Sequence, residues 1–83
     1  MTYELLYTET FLRQLKKLSR DVQKRIVQTL ERCRILPYHF VKKLVGCPYF
    51  RLRTGDYRII IDIQQGKMQI MVLEVGHRKN IYD

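Results

Sequence analysis

The sequence has little of what several classes of small protein need. Among its 83 residues there are two cysteines, Cys33 and Cys47, two prolines, four glycines and no tryptophan. The cysteines form no C-x-x-C pair and have no pair of histidines nearby, so neither a metal site nor a disulfide framework is indicated. We expect two free, largely buried thiols and no metal or cofactor.

Acidic residues are also scarce. Eight Asp and Glu stand against sixteen Lys and Arg, which gives a formal net charge of +8. An excess of this size favours a polyanionic partner such as nucleic acid, although an anionic membrane surface or an acidic protein would satisfy the same charge. The carboxylates are too few and scattered for a two-metal nuclease, and no Ser–His–Asp set or phosphate-binding glycine loop is present. A paired-imidazole mechanism would need His39 and His77 to converge.

Long apolar runs are missing as well. No segment approaches the ~18 apolar residues of a membrane span, and residues 1–7 lack a basic stretch followed by an apolar run. We therefore expect a cytoplasmic protein without a membrane partner. The length fits one domain over residues 1–83, and the apolar content of 46% is ordinary for a globular fold.

The spacing of the apolar residues predicts an α+β fold. Residues 1–7 are typical of a short strand, Thr8 and Ser19 are candidate N-caps of two helices, and Pro37 is expected to end the second helix. The predicted apolar stripes are Phe11, Leu12, Leu15 and Leu18, and then Val22, Ile26, Leu30 and Cys33. We expect an N-terminal strand, an antiparallel helical hairpin and a three-stranded antiparallel meander. The meander completes a four-stranded sheet with the helices on one face.

Two turn signals predict the register of the meander. A two-residue loop at Gly55 and Asp56 pairs Arg53 with Arg58, and Leu52 with Ile59. A second loop at Gln65 and Gly66 pairs Ile63 with Met68, Ile61 with Ile70, and Ile59 with Val72. One face then collects Phe50, Leu52, Ile59, Ile61, Ile63, Met68, Ile70 and Val72. The other collects Tyr49, Arg51, Arg53, Arg58, Asp62 and Gln69, with Ile60, Met71 and Leu73 among them.

The second of these faces, here called the arginine face, is the candidate site. Like charges at neighbouring cross-strand positions cost stability unless an anion lies between them. Residues that oppose local stability in this way usually occur at functional sites. An arginine cluster can cut RNA without a metal, because the 2′-hydroxyl of the RNA is the nucleophile. The protein must orient the phosphodiester, neutralise the added charge and move two protons. Guanidinium groups supply the charge and favour the phenolate of a neighbouring tyrosine, which is a possible base.

Two segments resemble the signature of the RelE and ParE toxin superfamily: YFRLRTGDYRIIIDI (residues 49–63) and VLEVGHRKNIYD (residues 72–83). The resemblance is carried by the L-R-x-G-D-Y-R run at 52–58 and the V-G-H-R run at 75–78. The KKLVG segment at 42–46 and the preceding strand and helical hairpin fit the same pattern. The resemblance therefore covers essentially the whole chain.

This resemblance implies the toxin of a type II toxin–antitoxin system. Its members of the RelE type are ribosome-dependent endoribonucleases that cut mRNA in the ribosomal A site, leave a cyclic phosphate and a free 5′-hydroxyl, and so arrest translation. A RelB-like antitoxin wraps and blocks the toxin. Arg58 and Arg78 match arginines that stabilise the scissile phosphate, and Arg51 matches a basic strand residue of that site. Tyr82 is similar to a tyrosine that stacks on a base or assists proton transfer.

Some positions depart from the pattern of the best-known bacterial branch. Tyr49 stands where that branch has a second lysine, and the spacing from Arg78 to Tyr82 is shorter. Proton transfer therefore stays open between Tyr82, His77 and Tyr49. We expect Arg53 to contact RNA, and Lys42 and Lys43 to form a basic rim for ribosomal RNA.

Two other functions are compatible with the same scaffold. A ParE-like member would bind DNA gyrase and cut nothing, whereas a plain RNA-binding module would carry stacking aromatics on the sheet face, where only Tyr49 is placed. The set of Arg51, Arg58, Arg78 and Tyr82, together with the positive charge, favours the nuclease.

Overall fold

The chain forms one short strand, three helices and a second short strand before a long meander. In the computed structural model, which describes residues 2–77, β1 spans Glu4–Tyr7, α1 spans Glu9–Lys16 and α2 spans Arg20–Cys33. A short helix, α3 (Pro37–Phe40), leads directly into β2 (Val41–Lys43). The meander consists of β3 (Phe50–Thr54), β4 (Tyr57–Gln64) and β5 (Gln69–His77), with a 3₁₀ turn at Gln65–Lys67.

Both predicted helix N-caps are confirmed. The hydroxyl oxygen of Thr8 accepts a hydrogen bond from the backbone N–H of Phe11 at 3.1 Å, and that of Ser19 accepts from Val22 at 3.3 Å. These bonds satisfy donors that the first turn of a helix leaves without an intrahelical partner. Pro37, which we expected to end α2, instead begins α3, where its missing N–H is not needed. Helix α2 has already ended at Cys33.

The sheet has the strand order β1-β5-β4-β3-β2, with β1 parallel to β5 and the other pairs antiparallel. The predicted α+β class is confirmed, but the sheet has five strands rather than four. The additional strand is β2, whose residues Val41, Lys42 and Lys43 pair with Leu52, Arg51 and Phe50. A three-residue strand is too short to show a periodicity of its own, because its pairing depends on a partner that lies about ten residues further along the chain.

The β3–β4 hairpin has the predicted register. Arg53 faces Arg58 and Leu52 faces Ile59 across a loop formed by Gly55 and Asp56. Gly55 has a φ of 58°, a left-handed conformation that glycine adopts without steric cost.

The predicted register between β4 and β5 was wrong by two residues. Ile63 faces Ile70 rather than Met68, and Ile61 faces Val72. The turn is longer than two residues, because a 3₁₀ turn is followed by Met68 in the left-handed region at φ 54°. An even shift keeps every side chain on its predicted face. A bulge at Leu73 then adds one residue to β5, so that Ile59 faces Val75.

The core lies between the helices and the apolar face of the sheet. Six of the eight residues predicted for this face are buried, and Phe50 and Met68 are partly buried against them. From the helices, Phe11, Ile26, Leu30 and Cys33 have no exposed surface, whereas Leu12 is 40% exposed. No helix within residues 2–77 is long and apolar enough to cross a membrane.

The two thiols differ in accessibility. Cys33 is buried, its thiol lies 3.8 Å from the carbonyl oxygen of Pro37, and burial raises its pKa to about 11. Cys47 is partly exposed in the segment before β3, and both cysteines are free. Because the thiolate is the reactive form, Cys33 should be inert in the folded protein.

We therefore predict that a disulfide reagent at pH 8 titrates one thiol in the native protein and two in denaturant. The Cys47→Ser variant should lose the native reaction and the Cys33→Ser variant should keep it. Two rapidly reacting thiols in the native wild type would contradict the packing of α2 described above.

Candidate nucleic-acid interface

Cross-strand pairing arranges the arginine face in rows. In one row Arg53 faces Arg58, which faces Gly76 on β5. In the next row Lys42 faces Arg51, and Arg51 faces Ile60 on β4. Side chains directly opposite each other on antiparallel strands have Cβ atoms about 5 Å apart. Four cations, here called the cationic patch, therefore share a small area on three strands: Lys42, Arg51, Arg53 and Arg58.

The four cations of the cationic patch differ in exposure. Lys42 and Arg53 are exposed, whereas Arg51 and Arg58 are half-buried. Ile60, which is 7% exposed, contributes an apolar floor beside Arg51. Gly76 has no side chain to stand over the β5 side of Arg58. A phosphate group can therefore approach the exposed side chains of Lys42 and Arg53 from outside the sheet.

Two shallow depressions border the cationic patch. One, of about 200 Å³, is lined by Phe40, Lys42, Arg51 and Arg53. The other, of about 30 Å³, is lined by Arg53, Arg58 and the hairpin residues Gly55, Asp56 and Tyr57. Neither encloses a small molecule, so the geometry suits an extended polyanion lying across the strands rather than a ligand held in a closed pocket.

Carboxylates stand at the margins of the arginine face. Asp62 lies in the row beyond Arg51 and faces Met71, and its Oδ2 accepts a hydrogen bond from the Gln64 amide at 3.1 Å. Glu74 of β5 faces Ile60 of β4, and its carboxylate accepts a hydrogen bond from the Gln14 amide at 3.4 Å. The cations of this face therefore lie over β2, β3 and the start of β4, away from Asp62.

The structure separates the two lysines that we expected to act together. Lys42 faces Arg51 and belongs to the cationic patch. Lys43 faces Phe50, and its Nζ lies 5.9 Å from the centroid of the Phe50 ring, on the side of the sheet where Phe50 packs against the core. Alternation along β2 places adjacent lysines on opposite faces.

Tyr49 stays on the arginine face. It is 37% exposed and immediately precedes Phe50, whose side chain points to the core. Its carbonyl oxygen accepts a hydrogen bond from the Leu44 N–H at 3.0 Å, which extends the pairing of β2 with β3 by one step. Tyr49 therefore lies beyond Arg51, toward Asp62, rather than between the arginines.

His77 lies on the other side of the sheet. It faces Tyr57 across β4 and β5, and the two rings meet edge to face with centroids 5.5 Å apart. Tyr57 packs against the core, so this pair lies on the helix side and not beside Arg58. Arg78 and Tyr82, the remaining candidates, lie outside the described residues.

Phe40 is a residue of this surface that the sequence pattern did not reveal. It ends α3, is 45% exposed and lines the larger depression with three cations. Val41 packs against the core, so Phe40 and Lys42 on either side of it point to the arginine face. This alternation is the signal that could have placed Phe40 there, but it spans too few residues to indicate a strand.

Comparison with known proteins gives a consistent set of matches. Residues 5–82 match the family described as ParE toxin of type II toxin-antitoxin system, parDE. Toxin RelE3 of Methanocaldococcus jannaschii is 34% identical over an alignment of 87 positions. The alignment covers 96% of this chain and 96% of that protein.

Solved structures agree with the sequence matches. The toxin–antitoxin complex RelBE2 from Mycobacterium tuberculosis contains a chain with a TM-score of 0.88 and 26% identity, covering 94% of this chain and 100% of that one. A chain of the RelB–RelE antitoxin–toxin complex from Methanococcus jannaschii has a TM-score of 0.74 and 33% identity, covering 94% of this chain and 95% of that one.

The two lysines of β2 offer a matched test of which face binds nucleic acid. Lys42→Ala should weaken binding to single-stranded RNA and reduce the slope of log K against log salt by about 0.7, because one phosphate contact is lost. Lys43→Ala removes the same charge from the other face and should change the slope far less. Fluorescence anisotropy titrations at several salt concentrations measure both. Equal effects of the two substitutions would show that the charge acts without regard to face.

Proposed function

This chain belongs to the ParE toxin family of type II toxin–antitoxin systems, within the RelE/ParE superfamily, and we propose that it is a ribosome-dependent endoribonuclease that cuts mRNA. The observation that carries the proposal is the cationic patch on the arginine face, where Arg53 and Arg58 stand directly opposite each other. A toxin that acts on a protein surface has no need for such a cluster of phosphate-binding groups.

In the proposed reaction, the 2′-oxygen of the substrate attacks the adjacent phosphorus, and the bond from phosphorus to the 5′-oxygen breaks. The products are a 2′,3′-cyclic phosphate and a free 5′-hydroxyl. Negative charge accumulates on the non-bridging oxygens in the transition state, and preorganised guanidinium groups stabilise it there. Arg58 and Arg78 are assigned to the scissile phosphate, while Arg51 and Arg53 hold neighbouring parts of the backbone.

Two protons must move in this reaction, one from the 2′-hydroxyl and one to the leaving 5′-oxygen. We assign these two proton transfers to Tyr82 and Tyr49 in preference to His77, because the His77 ring contacts Tyr57 on the helix side of the sheet.

The proposed partners follow from the same charge. The similar chains of known structure come from complexes of RelB with RelE, which supports a RelB-like antitoxin for this chain. An acidic antitoxin segment can neutralise part of the net charge of +8 and cover the cationic patch. The ribosome supplies the second polyanion, with Lys42 at the edge of the patch as a contact to ribosomal RNA.

Inhibition of DNA gyrase by binding, without RNA cleavage, is the second candidate function. It is favoured by the family description, which names the ParE toxin. It gives no role to the pairing of Arg53 with Arg58, two like charges that stand directly opposite each other.

We predict that the purified protein cuts mRNA only when ribosomes are present. Removing one transition-state donor should lower the single-turnover rate by about 100-fold or more, so both Arg58→Ala and Arg78→Ala should lose cleavage. Primer extension on a programmed ribosome locates and quantifies the cuts.

Arg13→Ala is the matched control, since Arg13 is an exposed arginine near the end of α1, on the helix side. It should cut at the wild-type rate, and the thermal unfolding of all three variants should show that each is folded. Cleavage by Arg58→Ala and Arg78→Ala at the wild-type rate would contradict the nuclease assignment. Inhibition of gyrase supercoiling by a protein that cuts no RNA would establish the second candidate instead.

A further inference from the structure

An aromatic ring stands at the edge of the cationic patch. Phe40 is the last residue of α3, and Val41, the next residue, faces Leu52. One step back along this antiparallel register, Phe40 lies level with Arg53. The depression of about 200 Å³ brings the Phe40 ring together with Lys42, Arg51 and Arg53.

Phe40 contributes little to the packing of the fold. Its side chain is 45% exposed and is not among the residues that form the core or pack against it. Its described ring contact is with His39, whose own side chain is exposed. A single exposed apolar residue is ordinary on a protein surface. An exposed ring that shares a depression with three cations is a more specific arrangement.

We propose that Phe40 is a stacking platform for one base of single-stranded RNA whose backbone lies on the cationic patch. Every base has a π-face, so an aromatic side chain beside a positively charged groove binds single strands with little sequence preference. Phe40 lies on the β2 side of Arg53 and Arg58 lies on its β4 side. The stacked base therefore belongs to a nucleotide that flanks the scissile phosphate. This placement rests on the proposed function, since it takes Arg58 as the site of cleavage.

The lining of the depression favours RNA over a protein segment. An apolar peptide would need further apolar side chains around the ring, and the other three residues of this depression are cations. The exposed apolar residues nearby, Leu36 and Tyr38, line a separate depression with Pro37 and His39. Phe40 is therefore set apart from that apolar surface and grouped with the phosphate-binding side chains.

The test measures binding separately from cleavage. Single-stranded RNA with 2′-O-methyl groups lacks the nucleophile and cannot be cut, so its affinity for the wild-type protein does not depend on the nuclease assignment. An oligonucleotide of this kind that carries 2-aminopurine reports stacking, because the fluorescence of that base is quenched by a stacked neighbour. Affinity and quenching are followed at a fixed salt concentration and then over a salt series.

Phe40→Leu keeps an apolar side chain and removes the π-face. It should weaken binding by roughly 5- to 150-fold, the value of one base–aromatic stack, and abolish part of the quenching. The slope of log K against log salt should stay unchanged, in contrast to Lys42→Ala, because no phosphate contact is lost. Phe40→Trp should restore both affinity and quenching.

Tyr38→Leu is the control, because it removes an exposed ring of the same short helix that lies in the other depression. It should leave RNA affinity unchanged. Wild-type affinity in Phe40→Leu, or equal losses in Phe40→Leu and Tyr38→Leu, would overturn the proposal. Binding of an acidic partner protein that depends on Phe40, with no effect on RNA, would assign the ring to a protein interface instead. If Phe40 governs RNA binding and ribosome-dependent cleavage is absent, the stacking stands and the nuclease assignment fails.

Discussion

The two-residue period of the β3–β4 hairpin is the constraint on which the rest of the structure depends. Leu52 and Ile59 face each other in the core, while Arg53 and Arg58 face each other on the outside. A slip of one residue would bury the arginines and expose the apolar pair, which would cost far more than the fold can supply. The core contacts that stabilise the hairpin therefore also place the cations. The Arg25 side chain of α2 reaches this exposed loop, since its Nη1 lies 3.8 Å from the position a Cβ of Gly55 would occupy.

Features decided by local sequence were predictable, and features decided by distant partners were not. The N-caps at Thr8 and Ser19 and the Gly55–Asp56 loop depend on a few adjacent residues, and the structure agrees with each. The β4–β5 turn contains Gly66, but the left-handed residue is Met68, a choice that side-chain chemistry does not indicate. Likewise, β2 exists because Val41 can pack beside Leu52, which only the folded sheet brings near it.

The candidate site follows the same division. Arg51, Arg53 and Arg58 could be placed on one face from alternation alone, because their strands are joined by a short loop. The two lysines of β2 could not be separated, because their strand was not recognised. His77 was a candidate for proton transfer on sequence grounds alone, whereas in the fold it ends β5 and its ring packs on Tyr57. The positions of Lys43 and His77 both depend on strand pairing that the local sequence does not reveal.

Clustered like charges would link the stability of this fold to the binding of an anion. A chain of 83 residues buries only about 60–65% of its unfolded surface, so its stability is small. Like charges directly opposite each other, such as Arg53 and Arg58, cost stability as a general rule, and an anion that binds the folded state alone would offset such a cost. An acidic antitoxin and an RNA backbone would compete for this stabilisation. If the proposed function holds, inhibition by the antitoxin would then require no conformational switch in the toxin.

Charge alone cannot place a phosphodiester for cleavage. Phosphate contacts are blind to sequence and allow a strand to slide, whereas in-line attack loses about 100-fold in rate for a displacement of about 1 Å. A base contact on the same surface limits sliding, because a stacked base fixes the position of its neighbouring phosphates. Phe40 and Arg58 are two strand spacings apart in one row, roughly 10 Å, which leaves room for a base on one side and a flanking phosphate on the other. Phe40, which immediately precedes β2, would thus turn a charged surface into one that holds RNA in a defined position.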